Sequence, residues 1–173
     1  MSPSKRSTPK DYFYFLSYRT RWSDNDQYSH VNNSVYYHLI DSIVNTYLSE
    51  HCGCIPTPSS TTQSSESLPP IGLVVSSYCN FFEPFSFPET ITLGFRVTKL
   101  GRSSVSYEIG FFSGDQETLL SDKSKAAKAV GGYTHVFVDR THRRPVKVMD
   151  IQLREGLQKA LIMPPEGNDK AKL

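Results

Sequence analysis

The sequence has few cysteines, and their pattern excludes two kinds of site. Cys52, Cys54 and Cys79 form an odd set, with two in a polar loop and the third in a strand-like segment. A zinc site would need further cysteine or histidine ligands at a suitable spacing, and a disulfide framework would need an even number. We therefore expect free thiols and a reducing compartment.

The chain also lacks a marked excess of charge and a long apolar run. Its formal net charge is only +2, which excludes the strongly basic surface of a dedicated nucleic-acid-binding protein and leaves an anionic small molecule open as a partner. No apolar run approaches the roughly 18 residues of a membrane span, and the N-terminus lacks the apolar centre of a signal peptide. With 173 residues, 38% of them hydrophobic, we expect one soluble, intracellular domain.

Three segments are too polar to pack into that domain. Residues 1–10 are rich in Ser, Pro, Lys and Arg, residues 55–70 in Pro, Ser and Thr, and residues 164–173 form a polar tail. We expect a disordered N-terminal tail, a mobile surface loop and a free C-terminus around a domain at 11–163. The final Ala171-Lys172-Leu173 differs from the peroxisomal signal Ser-Lys-Leu by one small residue. It is either a peroxisomal address or a polar tail ending in leucine by chance, in which case the cytoplasm or mitochondrion is expected.

The apolar pattern predicts one long helix. Apolar residues recur at helical spacing between Asn33 and Leu48, on a wide stripe that a buried helix requires. Asn32, Asn33 and Ser34 are candidates for its N-cap, and Gly53 lies beyond its end.

The rest of the chain has the pattern of strands. Aromatic and apolar residues dominate Tyr12 to Trp22, which predicts a buried first strand. Gly131-Gly132 could bend or bulge the last strand. Four later strands are predicted near residues 71–82, 91–97, 105–111 and 123–139, followed by a short helix at 151–161. Gly101-Arg-Ser and Ser113-Gly-Asp break these runs as hairpin turns would. An α+β fold follows, in which an antiparallel sheet curls around the long helix and buries it.

Ionisable and amide side chains are concentrated where the first strand leads into the helix. These are Asp24, Asp26, His30, Asn32 and Asn33. A helix N-terminus offers unpaired backbone N–H groups that can stabilise an oxyanion, and a nearby carboxylate can act as nucleophile or general base. The same residue types are also common caps and loop residues. The residues alone leave capping and catalysis both open.

The sequence of this segment resembles that of a known protein family. Arg21-Trp-Ser-Asp-Asn-Asp-Gln-Tyr-Ser-His-Val-Asn-Asn-Ser-Val-Tyr-Tyr37 resembles the opening of the hotdog acyl-CoA thioesterases, the group of the 4-hydroxybenzoyl-CoA thioesterases and the plant acyl-carrier-protein thioesterases. Lys99–Ser104 and Val136–Pro145 resemble later landmarks of that family, in the same order. The resemblance implies a hotdog fold, with a curled antiparallel sheet of five to six strands around one long central helix and a short C-terminal helix. It also implies a homodimer or homotetramer, hydrolysis of an acyl-CoA to free acid and coenzyme A, and no metal or other cofactor.

The same resemblance implies roles for particular residues. Asp26 is implied as the catalytic carboxylate, either nucleophile or general base, and His30 and Asn32 as orienting or assisting residues. The backbone amide of Asn33 is implied to polarise the thioester carbonyl, and Asp41 to face the entrance of the substrate site. The turn containing Arg102, Ser103 and Ser104 is implied to lie near the coenzyme A arm, where cationic side chains suit phosphate.

Two departures from the family and two other function classes qualify these expectations. Tyr28 stands where plant relatives have asparagine, and Ser29 where many bacterial relatives have glycine, so we expect a different backbone turn at Ser29. The alternatives are a non-catalytic hotdog protein that binds acyl-CoA or serves as a scaffold, and a hotdog hydratase. The sequence does not decide the acyl chain, or between coenzyme A and an acyl carrier protein.

Overall fold

A computed structural model of the protein describes residues 7–54 and 70–162. Most of the predicted N-terminal tail, nearly all of the 55–70 loop, and the C-terminal tail with Ala171-Lys172-Leu173 therefore lie outside the described residues. Residues 7–10 of the predicted tail are among the described residues. Pro9–Asp11 forms a 3-10 turn, Pro9 is buried, and the Ser7 carbonyl accepts a hydrogen bond from the Ala127 amide at 2.9 Å.

The predicted long helix is α1, Asn33–His51. Its N-cap is Asn32, whose side chain accepts the Ser34 amide, and it ends before Gly53, which has a φ of +67°. A glycine in this left-handed region just after a helix terminates it without steric cost. The stripe of α1 that the sequence predicts is buried: Tyr36, Leu39, Ile40, Ile43, Val44, Tyr47 and Leu48.

Five antiparallel strands form one sheet in the order β1-β3-β4-β5-β2, which confirms the predicted α+β architecture. Alternate residues of each strand face α1, because successive side chains point to opposite sides of a sheet. Tyr14 pairs with Phe95, Ser104 with Val136 and Ile71 with Val138. The strands are β1 Tyr14–Arg19, β2 Ile71–Phe81, β3 Thr90–Leu100, β4 Ser104–Ser113 and β5 Ala129–Val138.

The main core lies between α1 and the sheet face that curls around it. A smaller cluster on the opposite face contains Tyr12, Phe112, Leu119, Ala127 and Val130. The C-terminal helix, α3 Ile151–Lys159, closes one end of the core, and Tyr47 donates a 2.7 Å hydrogen bond to the Gly156 carbonyl within it. No helix among the described residues is long and apolar enough to cross a membrane.

Three local predictions are wrong. A short helix, α2 Gln116–Ser121, connects β4 to β5 where a tight hairpin turn was expected, because the Asp115 side chain caps it by accepting the Thr118 amide. As a result β5 starts at Ala129 rather than near residue 123. The register between β4 and β5 is the same on both sides of Gly131-Gly132, and the bulge lies in β2, between Val74 and Ser76.

Candidate active site

Asp26 begins a tight loop between β1 and α1. One carboxylate oxygen, Oδ1, accepts the backbone amides of Tyr28 at 2.8 Å and His30 at 3.3 Å. The Asp26 amide donates to the His30 carbonyl at 2.8 Å, which closes the loop. Among the described residues, the other oxygen, Oδ2, accepts no hydrogen bond. The loop therefore fixes the carboxylate through one oxygen and leaves the second for a ligand or water.

Ser29 gives this loop its sharp reversal. It has a φ of +63°, in the left-handed region that glycine occupies easily and most other residues avoid. The prediction of a different turn at Ser29 is therefore wrong, because serine here adopts the conformation that a glycine would have. Such strain persists where surrounding contacts hold the backbone, and here the Ser29 amide donates to the Asp26 carbonyl at 3.1 Å.

A buried carboxylate fixes the start of the loop. Asp24 is 8% exposed, and its Oδ2 accepts the Tyr18 hydroxyl at 2.8 Å and the Arg21 amide at 2.6 Å. The Asp24 carbonyl accepts the Asn32 amide at 2.8 Å. Asp24 thus connects β1, the loop and the N-cap of α1, and holds Asp26 in a fixed position relative to the helix.

The helix N-terminus lies beside the loop. The Asn32 side chain accepts both the Ser34 amide, at 2.9 Å, and the Ser34 hydroxyl, at 2.8 Å, so its amide group serves as the cap. Asn33 occupies the first position of α1, where a backbone N–H has no carbonyl of its own helix to bond. This amide and the positive end of the helix dipole can stabilise negative charge that develops on a bound carbonyl oxygen.

Asp26 and Asn33 line one cavity of about 310 Å³. It opens between the first turns of α1 and the end of β2. Its remaining lining is mostly apolar and is supplied by His30, Val31, Tyr36, Phe81, Phe82, Glu83 and Pro84. A carboxylate, a free helix amide and an apolar wall therefore converge on one space, as hydrolysis of an ester or thioester requires.

Burial keeps one tyrosine and the thiols of the core in their neutral forms. Burial raises the pKa of Tyr36 to about 12 and that of the Cys79 thiol to about 11. Burial likewise raises the pKa of Cys52 to about 12. Because a thiol attacks as its thiolate, these cysteines are poor nucleophiles at neutral pH. The reactive candidates of the cavity are therefore its polar lining residues, among them Asp26.

The structure separates some of the predicted site residues. Asp26, His30 and Asn33 meet at the cavity, and Asn32 lies next to them as a cap. Asp41 is exposed on α1, eight residues beyond Asn33, or about 12 Å along the helix axis, and its Oδ1 accepts the Tyr133 hydroxyl at 3.3 Å.

The predicted coenzyme turn is distant within the same chain. Arg102, Ser103 and Ser104 connect β3 to β4 at the end of the sheet opposite the Asp26 loop. Thr20, just before that loop, donates to the Glu89 carbonyl beside the start of β3, whereas the turn follows Leu100. The length of β3 therefore separates the two, about 33 Å.

The sequence did not indicate two groups of residues at this site. Phe81, Phe82 and Glu83 reach the cavity because the end of β2 lies beside the first turn of α1. Trp22 was predicted in a buried strand, yet it lies in a 3-10 turn, Trp22–Asp24, and is 80% exposed. Only the tertiary arrangement of β2 could have revealed the first group. For Trp22, the sequence did contain a signal: an aspartate such as Asp24 often caps a helical turn, which would have predicted the 3-10 turn.

The described residues contain no group of His, Cys, Asp and Glu that could hold a metal ion.

Comparisons with known proteins agree with this geometry. A family model described as the thioesterase superfamily matches residues 28–120, which are 93 of the 173 residues. The match includes Asn33 and Asp41 and begins two residues after Asp26. No curated protein matches the chain significantly.

Solved structures share the whole fold. A Pseudomonas aeruginosa protein, PA5185, is 40% identical, with a TM-score of 0.74, over 91% of this chain and 97% of the other. A gentisyl-coenzyme A thioesterase, BH1999, is 19% identical with a TM-score of 0.62, over 83% and 99% of the two chains. A DHNA-CoA thioesterase of Staphylococcus aureus is 13% identical with a TM-score of 0.58, over 77% and 78%. The last two show likeness of fold, which is the hotdog fold.

Proposed function

The chain belongs to the thioesterase superfamily, and from this premise we propose that it hydrolyses an acyl-coenzyme A to the free acid and coenzyme A, with Asp26 as the catalytic carboxylate. The observation that carries the proposal is the shared cavity of Asp26 and the Asn33 amide. The solved thioesterases of similar fold include two whose names specify coenzyme A thioesters, which supports the substrate class.

The reaction needs a group that attacks, or activates water to attack, and a donor for the oxyanion. As general base, Asp26 Oδ2 removes a proton from water while the water oxygen bonds to the thioester carbon. As nucleophile, the same oxygen bonds to that carbon and forms an anhydride that water then hydrolyses. In both routes the Asn33 N–H stabilises the oxyanion, the carbon–sulfur bond breaks, and coenzyme A leaves as its thiolate and takes up a proton. His30 lines the same cavity and contacts the substrate.

Replacement of the carboxylate by its amide tests this role. Asp26→Asn keeps an oxygen that can accept the Tyr28 and His30 amides, so the loop should keep its shape. We expect kcat to fall by about 10³-fold or more while the melting temperature changes little, because the charged oxygen is the reacting group. Thiol release from a panel of acyl-coenzyme A substrates measures this. Wild-type-like turnover in the variant would refute the assignment, and no turnover in the native protein would favour a non-catalytic binding protein.

A second copy of the chain would complete the cavity. Among the described strands β2 lies at an edge, with β5 as its partner on one side, and it exposes apolar side chains that include Val75, 60% exposed, and Val74, 51% exposed. An open, apolar edge of 11 residues favours pairing with another strand. We therefore propose a homodimer through antiparallel pairing of two β2 edges, with a tetramer as two such dimers.

This pairing would affect the site directly. Phe81 and Phe82, at the end of β2, line the cavity, so the second copy would supply its outer wall. Antiparallel pairing also brings the β3–β4 turn of the second copy, with Arg102–Ser104, to the same end of the double sheet as Asp26. Val75→Lys should convert the dimer to a monomer in sedimentation and lower activity. Val148→Lys, at an apolar position that is 68% exposed outside the strands, is the matched control; a Val75→Lys protein that stays dimeric would refute edge pairing.

A further inference from the structure

The most exposed large apolar side chain of the described residues stands beside the proposed reaction centre. Trp22 is 80% exposed, and it is the only tryptophan in the sequence. Its ring meets that of Phe87 edge to face, with centroids 5.8 Å apart and an angle of 84°. A largely exposed indole held by a second aromatic ring presents a flat apolar face to solvent, and covering that face is favourable.

Trp22, one ring of this aromatic pair with Phe87, shares a depression with the proposed catalytic carboxylate. A second cavity of about 140 Å³ is lined by Trp22, Asn25, Asp26 and Ser29. The Asn25 side chain accepts the Phe87 amide at 3.1 Å, which fixes the two segments that carry the rings. Asp26 therefore lines both the larger, mostly apolar cavity and the smaller one that contains Trp22. A thioester held at Asp26 has its acyl group and its thiol portion on opposite sides of the reacting carbon, and the two cavities suit these two portions.

Positive charge accompanies the aromatic pair. Arg19 and Arg21 are exposed on the same segment, and the Arg21 guanidinium lies 5.9 Å from the centre of the Tyr18 ring. The nearest acid in sequence, Asp24, is buried and holds the loop through the Tyr18 hydroxyl and the Arg21 amide. A ligand with a flat base and phosphate groups matches an exposed ring on a segment that carries two exposed arginines.

We propose that the adenine ring of coenzyme A stacks on Trp22, supported by Phe87, with Arg21 beside the phosphates. The inference rests on the proposed function and adds a binding contact for the coenzyme. It differs from the expectation based on resemblance, which places the coenzyme at Arg102–Ser104, because Trp22 lies in the same chain as Asp26, whereas that turn reaches Asp26 only from a second copy.

The single tryptophan makes the contact directly measurable. Titration of the native protein with free coenzyme A should quench the tryptophan emission to saturation, while N-acetylcysteamine, which has the thiol end without the nucleotide, should leave it unchanged. Trp22→Ala should raise KM for an acyl-coenzyme A about tenfold, the size expected for one base–aromatic stack. Its kcat, and its KM for the same acyl group on N-acetylcysteamine, should stay as in the native protein. Trp22→Tyr should restore most of the affinity, and Phe13→Ala, at an aromatic residue 50% exposed elsewhere, should have no effect.

Several outcomes would overturn the inference. These are unchanged emission at saturating coenzyme A, an equal rise in KM for both thioesters, or a change in sedimentation on Trp22→Ala, which would assign the indole to a protein contact. If the native protein hydrolyses both thioesters and Trp22→Ala changes neither KM, the stacking contact fails while the proposed function stands. If neither thioester is hydrolysed, the proposed function fails, and the fluorescence titration still decides whether coenzyme A reaches Trp22.

Discussion

A buried histidine in β5 should make the protein sensitive to acid. His135 is 4% exposed and packs against the rings of Tyr133 and Tyr107, with centroids 4.6 Å and 5.5 Å away. Burial lowers its pKa from 6.5 to about 4, although the nearby Asp41 charge acts in the opposite direction. In the folded protein His135 is therefore neutral at pH values where it would be protonated in the unfolded chain.

The sign and size of the effect follow from linkage. Because the folded pKa is lower than the unfolded one, the unfolded state binds more protons between pH 6.5 and about 4. The free energy of unfolding therefore keeps its full value above pH 6.5 and decreases as the pH falls through this window. At about 1.4 kcal/mol per pH unit, the loss at the lower limit is about 3 kcal/mol. This is a large part of the stability of a domain of this size.

Urea unfolding at a series of pH values between about 7 and about 4 measures this loss. His135→Gln cannot titrate, so its free energy of unfolding should fall by about 3 kcal/mol less than that of the native protein over the same range. His142→Gln, at a side chain that is 73% exposed, should follow the native curve. If His135→Gln and the native protein lose the same stability, His135 is not the acid-sensitive group.

Four further substitutions, at three positions, test local features of the fold. Ser29→Gly should keep turnover and stabilise the protein by about 0.5 kcal/mol in urea unfolding, because relief of the positive φ exceeds the entropy cost of glycine, whereas Ser29→Val should impair both. Gly132→Ala should destabilise by about 3 kcal/mol or yield insoluble protein, since a Cβ there would meet the backbone carbonyl of Tyr107. Tyr47→Phe should cost about 1–2 kcal/mol in the same unfolding assay, because it leaves the Gly156 carbonyl without its 2.7 Å hydrogen bond. An unchanged midpoint in either of the last two would contradict the contact invoked.

The local sequence pattern was enough to predict the elements that bury one face at regular spacing. The spacing of apolar residues predicted α1 from Asn33, and Asn32 and Gly53 marked its two ends, because capping and left-handed termination depend on adjacent residues. The α+β architecture followed from one such helix and several strands. The local pattern did not predict features that depend on contacts between residues distant in sequence. The Phe81–Glu83 wall of the cavity is one of them.

Exposure of aromatic residues was the least predictable property. Trp22 and Tyr12 lie in the same aromatic run, yet Tyr12 is 6% exposed and Trp22 is 80% exposed. The Tyr12 ring lies over Gly94 and Gly110, two positions in neighbouring strands that leave room for it. Trp22 follows the end of β1, and within residues 7–54 and 70–162 its one ring partner is Phe87. Both residues are aromatic, so their hydrophobicity does not predict which one is buried. Their positions relative to the folded sheet decide it.

Asp26 shows why composition could not separate a cap from a catalyst. Its Oδ1 accepts the Tyr28 and His30 amides, which is the behaviour of an ordinary loop aspartate. The same residue lines both cavities beside α1, and its Oδ2 has no partner among the described residues. A structural aspartate and a catalytic one are thus not alternatives here, because the bonds to one oxygen aim the other. A substitution that removes the charge of Asp26 and keeps the loop intact therefore tests the catalytic role separately from the structural one. Asp26→Asn is that substitution.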